Sequence, residues 1–176
     1  MKLNTEQYSI EWDKAWNNLK TEWVRIEALQ DYSGEDESES LSAWIAGDRT
    51  KSIELLNTNE EWIKSFQKKG KAGIKLTRIH IVEYPLSKYL EWEIESYKKI
   101  SIPICGEQVF LVNKEVVKDL NPVDLTFFDD SDILFNRYDK FGKFIGGDIL
   151  KDKVEIDILL TMKDQLLKKA KLLKLN

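Results

Sequence analysis

Apolar and aromatic positions recur along the chain with two different periods. Tyr8, Trp12, Trp16 and Leu19 are spaced by four, four and three residues, which places them on one face of an amphipathic helix. From Trp23 the pattern fits both classes: Val24, Ile26 and Ala28 alternate with Arg25 and Glu27 as in a strand, while Trp23 and Ile26 also extend the helical stripe. This segment stays open between helix and strand. Ser33-Gly34 and the acids after it read as a loop leading into a helix that carries Leu41, Trp44 and Ile45 and stops at Gly47. A third helix is predicted over about Asn59 to Lys69, with Trp62, Ile63 and Phe66 inward and Gly70 ending it.

Beyond Gly73 the chain becomes β-branched. Ile74, Leu76, Ile79, Ile81 and Val82 predict a central strand ending at Tyr84-Pro85. Leu86 to Lys99 reads as a helix through Tyr89, Leu90, Ile94 and Tyr97, and Val109 to Val112 as a short buried strand. Strand, helix and strand at this spacing predict a parallel crossover. Leu125 to Phe128 and Ile133 to Phe135 read as two strands joined by the acidic turn Asp129-Asp130-Ser131-Asp132. Gly142 and Gly146-Gly147 punctuate a further turn and short strand, and Val154, Ile158, Leu159, Met162, Leu166, Leu167 and Ala170 predict a helix running to the C-terminus. The expected fold is mixed α+β: a central sheet of five to six strands, a mostly helical part over residues 1–70, a sheet-containing part over 74–176, and a long C-terminal helix, all in one domain. No internal repeat or Pro/Gly-rich linker divides it.

Composition narrows the function classes. Of 176 residues, 42% are hydrophobic and 33% charged, enough for a core with a solvated surface. One cysteine, Cys105, forms no internal disulfide, no basic-apolar leader opens the sequence, and no apolar run reaches bilayer length, so a cytoplasmic, non-membrane protein is expected. A net charge of −4 argues against whole-surface attraction to nucleic acid. The charges segregate, with Glu35, Asp36, Glu37 and Glu39 in one loop and Lys163, Lys168, Lys169, Lys171 and Lys174 near the C-terminus. Direct nucleic-acid binding through that terminal helix is disfavoured, because its apolar face is needed for packing.

Catalytic chemistry finds little support. The single histidine, His80, lies between Ile79 and Ile81 in a strand and reads as structural; the residue two further on is Val82, not the lysine of an HxK phosphodiesterase motif. One histidine and one cysteine cannot assemble a zinc site of the usual ligand set, and no phosphate-binding glycine motif is present. No cofactor is expected. The cluster Asp124, Asp129, Asp130 and Asp132 is the most suggestive chemical feature, readable as a turn or as an acid-base or magnesium site. Six tryptophans at this length point to aromatic packing, with Trp12 and Trp16 expected in the core or as anchors for a partner.

Several short motifs occur together in order: Trp23-Val24-Arg25-Ile26-Glu27 with Tyr32, Glu83-Tyr84-Pro85 with Tyr89 and Glu93, Gly106-Glu107, and Asp124 with Phe127-Phe128-Asp129-Asp130, Tyr138 and Gly142. From Trp12 to Ala170 the chain resembles an uncharacterised family of small bacterial proteins, common in actinomycetes and often encoded beside helix-turn-helix regulators. The resemblance implies a cytoplasmic regulatory or defence-like role. It also implies a polar site of Arg25, Glu27, Arg78, Glu83, Tyr89, Glu93, Asp129, Asp130 and Tyr138, whose residues equally fit structural ion pairs. The order of elements also looks like a degenerate phospholipase D-type domain, an analogy of fold alone. The balance favours a non-catalytic binding or regulatory protein that works through protein contacts, with a helix-turn-helix regulator as the candidate partner. The alternative is an enzyme or binder of a phosphate-containing or nucleotide ligand, acting through Asp129-Asp130 with Arg78 or Arg137.

Overall fold

The computed structural model of the chain describes residues 1–32 and 38–175. The loop assigned to Ser33-Gly34 and the acids Glu35, Asp36 and Glu37 lies outside the described residues. Eight strands, β1 (Lys2–Leu3), β2 (Glu22–Glu27), β3 (Lys75–Val82), β4 (Gln108–Asn113), β5 (Leu125–Phe128), β6 (Asp132–Tyr138), β7 (Phe144–Leu150) and β8 (Lys171–Leu172), form one sheet in the order β1-β7-β6-β5-β2-β3-β4-β8. Strands β2, β3 and β4 run parallel, and the remaining pairs are antiparallel. The helices are α1 (Thr5–Asn18), α2 (Ser38–Ile45), α3 (Arg49–Leu56), α4 (Glu60–Lys71), α5 (Lys88–Ser96) and α6 (Lys153–Lys169).

The mixed α+β class and the β3-α5-β4 crossover agree with the sequence pattern. The strand count is larger than five to six because two-residue strands, β1 and β8, close the two edges. The segment left open after Trp23 is a strand. Its tryptophan extends the helical stripe only by coincidence, because Leu19 and Lys20 already leave the helix. Helix α3 has no counterpart in the sequence reading; Asp48 caps it through Lys51 N, and its weak amphipathicity hides it. The C-terminal helix stops at Lys169 rather than continuing, since Ala170 is extended and the chain turns to pair with β4. After α5 one π-helical turn, Tyr97–Ser101, carries Tyr97 beneath the helices.

Capping explains where the helices start. Asn4 and Gln7 form a reciprocal capping box at α1, and Asn59, Ser87 and Asp152 accept from backbone N–H groups at α4, α5 and α6. Helix α1 seats on the sheet through Tyr8, whose hydroxyl donates to Asn136 Oδ1 at 2.8 Å, and Gly147 on β7 makes room for that ring: a Cβ there would meet the Tyr8 ring and the Phe135 carbonyl.

The two faces of the sheet differ. On one face Val24, Ile26, Ile79, Ile81, Val112, Leu125, Phe127 and Ile133 make a continuous apolar layer under Met162 and Leu166 of α6. On the other face the apolar residues form two separate clusters. One contains Trp16, Trp23, Phe66, Leu76 and Phe128; the second contains Tyr32, Trp44, Val82, Leu90 and Trp92. The space between them is polar.

Candidate functional site

Strand alternation builds the polar belt. In β2 the residues Trp23, Arg25 and Glu27 share the face opposite Val24 and Ile26, and in β3 Arg78 and His80 share the face opposite Ile79 and Ile81. The parallel register sets Arg25 beside Arg78 and Glu27 beside His80, and β5 adds Thr126 next to Arg25. Two adjacent guanidinium groups in a buried sheet would repel each other. Glu27 sits between them, its Oε1 accepting from Arg78 Nη1 at 2.7 Å and from Arg25 Nε at 3.4 Å. Glu107, with a fully buried side chain, takes Arg78 Nε at 2.9 Å. Arg25 also donates to Thr126 Oγ1 at 3.0 Å and Tyr138 Oη at 2.8 Å.

Beyond the arginines lies a second group of partners. Tyr97 Oη donates to Glu27 Oε2 at 2.9 Å and stands 2.9 Å from His80 Nδ1. Glu93 Oε2 of α5 lies 3.4 Å from the same nitrogen. Tyr32 Oη donates to Asp124 Oδ1 at 2.6 Å and packs its ring against Tyr138 and Tyr89.

Burial and charge together set the protonation of these groups. Burial alone would push the Glu27 carboxyl up, but Arg78 and Arg25 hold it down at about 2. Their own guanidinium groups are kept charged because the carboxylates, with Tyr138 beside Arg25, outweigh the cost of burial. Burial pushes Glu107 up despite its ion pair with Arg78. Burial also raises Asp124 to about 6 and lowers His80 against the pull of Glu27. The Cys105 thiol is buried and pushed up to about 12, which makes it an inert packing residue.

A cavity of about 660 Å³ opens over this belt, between the sheet and helices α1, α4 and α5. Arg25, Glu27, Arg78 and Thr126 line its sheet side, and Glu93 and Tyr97 line it from α5 and the π turn. Four of the six tryptophans, Trp12, Trp23, Trp62 and Trp92, also line it, together with Phe66. Trp12 is thus a half-buried wall residue, stacked on the buried Trp16 with ring centres 5.1 Å apart. The indole Nε1 of Trp23, a residue 3% exposed, has no acceptor among the described residues.

Of the nine residues in the expected polar site, Arg25, Glu27, Arg78, Glu93 and Tyr138 come together here, and Tyr89 packs behind them. Glu83 is exposed and pairs with Lys114 at 2.8 Å. Asp129 and Asp130 are elsewhere, where β2 begins and β5 ends. The Asp129 carboxylate accepts from Lys20 N, Thr21 N, Glu22 N and Thr21 Oγ1 at 2.6 to 3.1 Å, which holds it down at about 2 against the opposing effect of burial. Asp130 pairs with Lys163 at 3.0 Å, and Lys163 also reaches Glu22 at 2.7 Å. Arg137 donates to the carbonyls of Leu3 and Gly147 and ties β1 to the sheet. The acidic turn is therefore fastened by backbone and lysine contacts. His80, Tyr97, Tyr32, Thr126, Glu107 and Asp124 are the belt residues outside the expected nine, with Asp124 set apart from the acidic turn it was grouped with. For His80 and Thr126 the available signal was a polar residue at every second position of strands whose other face is apolar, whereas Tyr97, Tyr32 and Glu107 lie off the strands.

The sequence model of a family described as "Domain of unknown function (DUF6879)" matches residues 10–174. No curated protein matches the chain. Among solved structures, TrmBL2, an archaeal chromatin protein whose structure "shows a novel mode of DNA binding", aligns over 97% of this chain at 11% identity with a TM-score of 0.45. The chain spans about half, 52%, of that protein's length. Among the described residues no helix is long and apolar enough to cross a membrane.

Proposed function

The chain belongs to the family of domains of unknown function DUF6879, and from that premise we propose that it is a non-catalytic binding protein whose cavity takes a small, flat organic acid. The observation that carries this reading is the convergence of N–H donors and aromatic walls on one space. A guanidinium group has five N–H bonds. The described partners of Arg25 take three of its five, and those of Arg78 likewise three, so each arginine keeps two to offer. A carboxylate or carbonyl would satisfy such donors, and a planar ring would pack between Trp12, Trp62 and Trp92. The volume of about 660 Å³ lies within the range of small-molecule pockets. The alternative of a phosphate-type ligand held at Asp129-Asp130 has less to support it, since those carboxylates already serve backbone N–H groups and Lys163.

Tryptophan fluorescence tests the reading, because four indoles line the cavity. The probes are benzoate, quinoline-2-carboxylate, benzamide, benzylamine and adenosine 5′-monophosphate. Saturable quenching by the two aromatic acids, weaker with benzamide and absent with benzylamine, is the expected order. Arg25→Gln should weaken the acids selectively. Quenching by benzylamine as strong as by benzoate, or no saturable signal with any probe, would overturn the reading.

A further inference from the structure

We propose that Glu27, His80 and Glu93 hold one divalent transition-metal ion at the sheet side of the cavity. Each of the three residues offers one ligand atom, all three atoms lie within 4.8 Å of one another, and all three residues are buried. Glu27 and His80 are neighbours in the parallel register of β2 and β3, and Glu93 reaches them from α5.

Hydrogen counting identifies what the cluster lacks. His80 Nε2 lies 3.2 Å from the Leu29 carbonyl, which can only accept, so Nε2 carries the hydrogen and the lone pair of the neutral ring is at Nδ1. Nδ1 faces Tyr97 Oη at 2.9 Å, Glu93 Oε2 at 3.4 Å and Glu27 Oε2 at 3.6 Å. Tyr97 has one hydroxyl hydrogen and two acceptors at 2.9 Å, His80 Nδ1 and Glu27 Oε2. One acceptor is left facing another, and a positive centre among them removes the conflict.

The spacing suits an ion. Bonds of roughly 2.0 to 2.2 Å in tetrahedral geometry set ligand atoms about 3.3 to 3.6 Å apart. The separations of His80 Nδ1 from the two carboxylates, 3.4 and 3.6 Å, lie close to that. The outer contacts also suit it. A metal-binding imidazole characteristically donates its other N–H to a carbonyl, as His80 does to Leu29, and ligating carboxylates are themselves hydrogen-bonded. Glu27 presents Oε1 to Arg78 and Arg25 and keeps Oε2 for the cluster. One imidazole with two carboxylates favours zinc, manganese or ferrous iron over calcium or magnesium. Glu27, Glu93 and Tyr97 border the cavity, so a remaining coordination position would open onto it. The inference stands without the organic-acid reading, because it needs only these side chains.

The test uses the full chain after chelator treatment, with CoCl2, ZnCl2 and MnCl2 added separately. Bound metal is measured by mass spectrometry after gel filtration, and Co2+ also by its visible absorption bands. The expected result is one ion per chain, with Glu93→Gln and His80→Gln each weakening binding ~10-fold or more, and Glu83→Gln, on the exposed pair with Lys114, leaving it unchanged. Circular dichroism establishes that each variant is folded. Uptake of none of the three ions by the wild-type chain, together with an imidazolium Nδ1–H signal in its NMR spectrum, would overturn the proposal in favour of a proton. Equal binding by folded Glu93→Gln would overturn it as well.

Discussion

Replacing Arg78 with methionine is the most direct challenge to the charge arrangement described above. The guanidinium group donates to Glu107 at 2.9 and 3.5 Å and to Glu27 at 2.7 Å. Among the described residues Glu107 has no other side-chain donor, and its side chain is fully buried. Methionine keeps most of the aliphatic volume and removes the charge, so the cost comes from a carboxylate left without a partner in the interior. Breaking a buried pair in this way costs about 3 to 5 kcal/mol. Pairing the change with Glu107→Leu removes that orphan, and the double variant should recover most of the loss, because two apolar side chains need no desolvation offset. Urea unfolding at pH 7 of the wild type, both single variants and the double variant gives the cycle. At lower pH the Arg78→Met deficit should shrink, since burial already raises Glu107 and protonation removes the unpaired charge. A single-variant loss under about 1 kcal/mol, or a double variant no more stable than Arg78→Met, would refute the reasoning.

Three further outcomes follow from the same structure. Asp124 has a folded pKa of about 6, above its ordinary 3.8, so its contribution is fully present below about 4 and is lost as pH rises through about 6; Asp124→Asn should remove about 2 to 3 kcal/mol of that dependence in unfolding measured from pH 4 to 7 while keeping the Tyr32 bond. Asp129→Ala strips an acceptor from three consecutive backbone N–H groups at a residue with φ of 52°, and should cost about 2 kcal/mol by urea titration, with Asp129→Asn costing less because asparagine tolerates that backbone and still accepts. Trp16→Ala should lower stability by about 3 to 5 kcal/mol, since the ring is buried and its Nε1 donates to Ser65, whereas Trp12→Ala on the cavity wall should cost less and alter probe quenching instead; thermal melting separates the two.

Local pattern alone was enough to find α1, α4, β3, α5, β4, β5, β6 and most of α6, because the helices carry a buried face as a repeat of about three and a half residues and the strands are short apolar or β-branched runs bounded by turn residues. The family resemblance, rather than periodicity, placed Arg25, Glu27, Arg78 and Glu93 among the polar residues of interest. It could not distinguish these from Glu83, Asp129 and Asp130. All are charged residues near strands, and only the strand order decides which of them meet. Parallel pairing of β2 with β3 sets Glu27 beside His80, a contact across 53 residues of sequence, and α5 brings Glu93 to the same point. His80 read as structural because its sequence neighbours are isoleucines. Alternation sends those isoleucines to the opposite face, under α6, and leaves the imidazole among carboxylates. The two-residue edge strands were equally out of reach, since they carry no period of their own and exist only because β7 and β4 offer them partners. Sequence thus determined most of the helices and longer strands, and the apolar face of each amphipathic helix. The tertiary structure decided which polar residues converge, because that depends on register between segments distant in the chain.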